Sequence, residues 1–143
     1  MKGFATIVFC LSAMAPLQAQ RYGIKGQLYW ATPESSGTRE TVTYSGVPLE
    51  IYVHGLTSVA EVDIVDGAIS KIYTPVVDRF FCKWDGSFKA RLPAGRYSVF
   101  VRYQNRYYGN LQDANGNLSP VTMGLKRNEW ITITIDYPPP ARH

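Results

Sequence analysis

Apolar and polar residues alternate with a period of two along most of this chain. No window of eleven or more residues carries apolar positions at three-and-four spacing free of Gly, Pro or β-branched clusters. The pattern predicts strands. Ile24, Gly26, Leu28 and Trp30 alternate with Lys25, Gln27 and Tyr29 in a half-buried first strand. Residues 33–46, rich in Ser, Thr, Gly and Glu, read as a long polar connection or a weak edge hairpin. After Val47-Pro48, Leu49, Ile51 and Val53 alternate with Glu50, Tyr52 and His54 in a second strand.

Turn chemistry then marks the reversals. Residues 59–65 and 68–73 flank Asp66-Gly67, a dipeptide whose two positions accept positive φ and so suit a tight hairpin. Residues 76–84 and 88–92 flank Asp85-Gly86 in the same way, which predicts a second hairpin. Pro93-Ala94-Gly95 turns the chain into Tyr97, Val99, Val101 and Tyr103 alternating with Ser98, Phe100 and Arg102. Both faces of that strand are largely apolar, so it belongs in the middle of a sheet. Gln104-Asn105 turns it back into residues 106–110. In the last strand, residues 130–137, Ile131, Ile133, Ile135 and Tyr137 point one way, and Pro138-Pro139-Pro140 ends it because proline cannot donate to a ladder. About eight short strands with turn signals at roughly ten-residue intervals predict an all-β sandwich or small barrel.

The start of the chain reads differently. Lys2 and the apolar stretch from Phe4 to Ala15 form a leader pattern, too short to span a bilayer comfortably, with Ala19 before Gln20 as the cleavage point. Residues 1–19 are therefore expected to be a signal peptide and residues 20–143 the exported domain, periplasmic or secreted, with no transmembrane segment. Phe9 before Cys10 is bulky where lipid-modifying processing needs a small residue, which argues against a lipid anchor. The remaining 124 of the 143 residues suffice for one core and one domain. Loss of Lys2 leaves fourteen Lys and Arg against eleven Asp and Glu, a net charge of +3. The bases are scattered along the chain (Lys25, Arg39, Lys71, Arg91, Lys126) with no run of five, so the linear footprint of a nucleic-acid binder is missing. Cys82 is then the sole cysteine, and beside Phe80, Phe81 and Trp84 it reads as a buried small hydrophobe.

Several of these segments resemble a known family. Residues 23–30, Gly46-Val47-Pro48 leading into a strand, Asp85-Gly86-Ser87-Phe88, and the run from Leu92-Pro93-Ala94-Gly95 to Val101 are similar to the carboxypeptidase regulatory-like domain. The resemblance covers most of residues 23–137. It implies a prealbumin-like, transthyretin-like Greek-key β-sandwich of seven to eight strands without an active site of its own. Such domains commonly act as folding, docking or binding modules, and small exported proteins of Bacteroidetes-type bacteria look alike in the closing segment. Gly86 and Gly95 would sit at turns, with Phe88 and Tyr97 plugging the core. The related hydroxyisourate hydrolases carry catalytic histidines and a Tyr-Arg-Gly-Ser tail, neither of which this chain has: it ends Tyr137-Pro138-Pro139-Pro140-Ala141-Arg142-His143, with His54 its one internal histidine.

Candidate chemistry is correspondingly sparse. No Ser-His-Asp set, paired carboxylates or Cys/His metal cluster can be assembled, so no enzyme, cofactor or metal is expected. His54, on the polar parity of its strand, is expected to face solvent or bond to a loop. Lys25 and Asp136 resemble the isopeptide pairs of pilin-like sandwiches, but their parity turns both toward water, where lysine stays charged. Asp113, Asn115 and Asn117 put oxygens at alternate positions around Gly116. Leu118 and Gly124 occupy places where a calcium loop needs Gly and Glu, so a locally bonded Asn-Gly turn is expected instead. The binding candidate is the aromatic and basic cluster Arg102, Tyr103, Arg106, Tyr107 and Tyr108, with Tyr29 and Trp84 as further members, set against ordinary sheet packing. An unnamed protein or glycan partner, or a second copy joined through edge strands, is the occupant expected of such a surface; nucleic acid is not.

Overall fold

A computed structural model of the chain describes residues 21–109 and 112–136. The expected leader with Cys10 and its cleavage point, Asn110, and residues 137–143 lie outside the described residues. Strands follow one another as β1 (Arg21–Ser36), β2 (Arg39–Gly46), β3 (Glu50–Gly55), β4 (Val62–Val65), β5 (Ala68–Ile72) and β6 (Val76–Phe81). They continue as β7 (Ser87–Pro93), β8 (Gly95–Tyr103), β9 (Arg106–Tyr108), β10 (Pro120–Met123) and β11 (Asn128–Asp136).

They form two sheets. In the smaller, β1 is central: β11 runs parallel along one side, while β7 and β2 share the other side, antiparallel to its first and second halves. The larger has the order β4-β5-β9-β8-β3-β6, with β10 joining β8 end to end with β9. The chain changes sheet between β2 and β3, β6 and β7, β7 and β8, and β10 and β11.

Alternation decides which residues meet between the sheets. Ile24 and Leu28 of β1, Phe88 and Leu92 of β7, and Ile133 and Ile135 of β11 join Ile51, Val53, Val99, Val101 and Met123 of the larger sheet in one buried cluster. Their removal from water is the main force holding the sheets face to face. Cys82 lies in this cluster, as its apolar neighbours predict. Tyr97 is buried too, and its hydroxyl donates to the Pro93 carbonyl at 2.7 Å, tying the start of β8 to the end of β7.

The all-β sandwich matches the expectation from alternation, and β8 is central as its two apolar faces require. Asp66-Gly67 closes a β4–β5 hairpin with φ of 54° and 81°, and Gln104-Asn105 closes β8–β9 with φ of 50° and 62°. Residues 33–46 form the edge hairpin, turning at Gly37.

Four features depart from the expected pattern. The strand number exceeds seven or eight because residues 39–46 form a full strand, β2, and because β10 is a four-residue piece that alternation does not resolve. Residues 59–61 are a 3₁₀ turn rather than the start of a strand: Glu61 reaches back to accept from the Ser58 backbone N–H at 2.9 Å, the Ser-x-x-Glu signature of a capped turn. β11 is parallel to β1, which hydrophobic spacing does not encode. Finally, β6 and β7 are not a hairpin. β6 pairs with β3 and β7 with β1, so Asp85-Gly86 stands where the chain crosses between sheets.

That crossing is tightly built. The Asp85 carboxylate accepts from the Ser87 N–H at 3.0 Å and hydroxyl at 2.7 Å, and Gly86 has φ of 85°. The Gly86 carbonyl accepts from the Leu28 N–H at 2.8 Å, in the gap on β1 between β7 and β2. A Cβ on Gly86 would collide with the Leu28 carbonyl, and one on Gly46 with the Asp85 carbonyl, both rigid backbone. Gly86→Ala and Gly46→Ala should each cost about 2–4 kcal/mol in urea unfolding, whereas Gly55→Ala, with open space around it, should stay within about 0.5 kcal/mol.

Candidate functional site

The face of the larger sheet turned away from the core carries the richest constellation of polar and aromatic side chains. Strand parity puts Tyr52 and His54 of β3, Ser98, Phe100 and Arg102 of β8, Arg79 of β6 and Tyr107 of β9 on that face. Register sets Arg79 and Phe100 on either side of Tyr52, and Arg102 between Glu50 and Tyr107.

One end of this face is roofed. The Thr57 N–H donates to Ser98 Oγ at 2.8 Å, its hydroxyl donates to the Gly55 carbonyl at 2.7 Å, and Thr57 Oγ1 also lies 2.7 Å from Thr74 Oγ1. Leu118 N–H donates to the Thr57 carbonyl at 2.8 Å, so the segment around residues 112–119 closes over the same place. His54 is consequently 3% exposed rather than solvent-facing. Its parity is the expected one, but that side of the sheet is covered. The ring stacks beside Tyr52, meets Phe100 edge-on at 5.6 Å, and places Nδ1 2.9 Å from the Thr74 carbonyl, the loop bond that was the other expectation. Nδ1 therefore holds the proton. Nε2 is buried without a hydrogen-bond partner among the described residues. Burial pulls the imidazole pKa below its ordinary value, with partial opposition from the Thr74 bond.

The other end is open. Arg102 donates through Nη1 to the Tyr107 hydroxyl and through Nη2 to Asn105 Oδ1 at 3.2 Å. Its guanidinium lies 5.1 Å from the Tyr107 ring centre and 5.8 Å from that of Tyr52. Arg79 donates to the Tyr52 hydroxyl at 3.3 Å and sits 5.9 Å from the same ring. Tyr52 and Tyr107 meet edge to face at 5.4 Å. Two cations are thus held against two rings, an arrangement that orients planar donors toward an incoming ligand.

Only part of the five-residue cluster read from the sequence is assembled here. Arg102 and Tyr107 are neighbours on the outer face, but Tyr103, Arg106 and Tyr108 have the opposite parity. Tyr103 packs edge-on against Trp30 at 4.8 Å, and Tyr108 packs on the core. Arg106 donates to the Asn105 carbonyl at 3.3 Å, and its Nε is buried without a partner among the described residues. Tyr29 lies on the smaller sheet against Tyr44, and Trp84, 83% exposed, stands beyond β6. Tyr52 and Arg79 complete the site unannounced by periodicity, because their adjacency depends on β3 pairing with β6.

The other candidates resolve simply. Lys25 is exposed and opposite Trp130, whereas Asp136 is opposite Ala31, six residues along β1, so the two cannot form an isopeptide pair. Asp113 accepts from the N–H groups of Asn115 and Asn117, each at 2.9 Å, and from Asn117 Nδ2 at 3.1 Å. These bonds, those of Asn117 foremost, hold its carboxyl below the usual range. The carboxylate is committed to its own turn. Burial, with a smaller contribution from Asp85, pushes the Cys82 thiol up to about 11, so it stays protonated at neutral pH.

These features define an all-β sandwich with a braced aromatic and cationic surface on its larger sheet. Scans against family models, curated proteins and solved structures find no match to this chain.

Two outcomes follow. An imidazole pKa lowered on folding means that the unfolded chain binds the extra proton first. Its stabilising share is therefore complete above pH 6.5 and is lost as pH falls below that value. Urea unfolding should show stability declining from pH 7 toward 5, and His54→Leu should flatten that slope whatever its absolute cost. Cys82 should resist a thiol reagent at pH 8 in the native protein and react within minutes in denaturant.

Proposed function

We propose that the protein is an exported, non-enzymatic binding module of the carboxypeptidase regulatory-like kind, contacting a protein or glycan ligand through Arg79, Tyr52, Arg102 and Tyr107. The observation that carries this reading is the bracing of Arg102 by Tyr107 and Asn105 over two aromatic rings. A guanidinium already fixed by its neighbours loses little rotamer freedom when a ligand arrives, and Arg and Tyr dominate binding hot spots for that reason. The leader pattern of residues 1–19 supports export. The Asp-Gly-Ser-Phe and Leu-Pro-Ala-Gly-Arg-Tyr motifs support the family likeness, since Gly86, Phe88, Gly95 and Tyr97 occupy turn and core positions.

A second reading, self-association through β6, draws on a different observation. Among the described residues β6 pairs only with β3, and its other edge is flanked by exposed Val76, Val77 and Phe81, the last 69% exposed. Asp78 and Arg79 on the same strand work against such pairing.

On a glycan array and in pull-downs with the partners it captures, Arg102→Ala and Tyr107→Ala should each weaken binding at least about tenfold, and Arg106→Ala less than about twofold. Unchanged binding after the first two would sink the surface as the ligand site. A mass by light scattering that doubles with concentration, and reverts on Phe81→Lys, would favour self-association.

A further inference from the structure

Basic residues that are scattered along the chain converge in space on the smaller sheet. Arg21 and Lys25 of β1, and Lys89 and Arg91 of β7, share the face turned away from the core, and Lys126 and Arg127 stand beside them before β11. Six of the fourteen bases from residue 20 onward thus gather at one end of one sheet. Lys25 lies directly across from Lys89. Like charges directly opposite one another destabilise a sheet, so stability alone does not favour this pairing.

The cluster also has shape. A cleft of about 810 Å³ is lined by Arg21, Arg91, Lys126, Arg127 and Asn128 over a floor that includes Gly23, with no carboxylate among its lining residues. Gly23 opens it, because a Cβ there would run into the Asn128 side chain. Arg21 Nη1 donates to the Arg91 carbonyl at 3.3 Å and Arg91 Nη2 to the Arg21 carbonyl at 3.4 Å, so backbone rather than a carboxylate braces both guanidiniums. One of the lining cations, Lys126, has a carboxylate partner, with Glu129 Oε1 4.0 Å from its Nζ. Two residues along β11 from Asn128, about 7 Å away, Trp130 lies across from Lys25 on the same face and is 63% exposed, its indole N–H turned to Thr132 Oγ1 at 3.3 Å.

We propose that this face binds an acidic polysaccharide, seating sulfate or carboxylate groups between Arg21, Arg91 and Arg127 and stacking a neighbouring sugar ring on Trp130. A concave, guanidinium-rich cleft accepts discrete oxyanion groups in bidentate fashion. The exposed indole offers its apolar face to the C–H side of a sugar at the span of a single ring. A lipid surface would instead meet a flat or convex patch, and single-stranded nucleic acid would need aromatic platforms at successive base positions, whereas Trp130 is the aromatic residue on this face beside the cleft and Tyr29 lies four residues beyond Lys25 along β1, against Tyr44. The site is separate from the aromatic surface on the larger sheet and stands or falls without it.

The test uses the purified protein on immobilised heparin, with dextran sulfate, single-stranded DNA and vesicles containing anionic lipid as competitors at about 0.15 M salt. Retention on heparin and displacement by dextran sulfate are expected, with DNA and vesicles at least about tenfold weaker as competitors. Lys89→Glu with Arg91→Glu should reduce heparin affinity more than about tenfold. Trp130→Ala should reduce it several-fold without changing the weak competition by DNA, and Arg127→Ala serves as a second variant should the double reversal unfold. Arg102→Ala should change nothing, which separates this outcome from that of the aromatic surface. Failure to bind heparin at this salt overturns the proposal. So does equal competition by DNA or by vesicles with no effect of Trp130→Ala, which would mark the face as a general polyanion or membrane surface.

Discussion

β1 serves three partners at once, and the sandwich depends on how its sixteen residues are divided among them. Its first half is bonded to β7, its second half to β2, and the stretch from Gly23 to Ala31 to β11. Where β7 ends and β2 begins, the ladder is carried across by the Gly86 carbonyl, which accepts from Leu28. Two glycines allow that approach, one on each converging segment. Because β7 and β2 lie on opposite sides of an excursion through β3 to β6, closing this junction also fixes where the larger sheet docks.

The larger sheet is solvated on its outer face only in part. Segments around Thr57 and Leu118 bond to each other over His54 and Ser98, leaving Arg79, Arg102 and Tyr107 uncovered beside them. Buried polar groups must find partners, and the chain of Ser98, Thr57, Thr74 and His54 supplies all but one. Under that cover the His54 ring packs against both Tyr52 and Phe100, and Tyr52 in turn meets Tyr107, so the covered and open halves of the face share one line of ring contacts.

Charge is distributed unevenly between the two sheets. Glu61, Asp63 and Asp66 lie in or near the β4 edge of the larger sheet, whereas the β7 end of the smaller sheet gathers cations. A net charge of only a few units therefore conceals a local field, and linear spacing is a poor guide to it because each strand delivers every second side chain to the same face. Arg91 and Lys126 are far apart along the chain yet line one cleft.

By itself the sequence determined the strand class, the inward set of Ile24, Leu28, Ile51, Val53, Val99, Val101, Ile133 and Ile135, the tight turns at Asp66-Gly67 and Gln104-Asn105, and the burial of Cys82. Alternation and turn conformation are local properties, set by neighbours within a few residues, so they can be read along the chain. The Ser58-x-x-Glu61 turn also has a local signature, but it lies in an apolar run that reads as the start of a strand. Tertiary structure alone decided which strands pair, and everything that follows from pairing: the parallel β11, the crossing at Asp85-Gly86, the roof over His54, and the division of Arg102 and Tyr107 from Tyr103, Arg106 and Tyr108. Backbone hydrogen bonds are the same for every residue except proline, so partner choice rests on the global fit of two apolar faces, and no single segment carries that information.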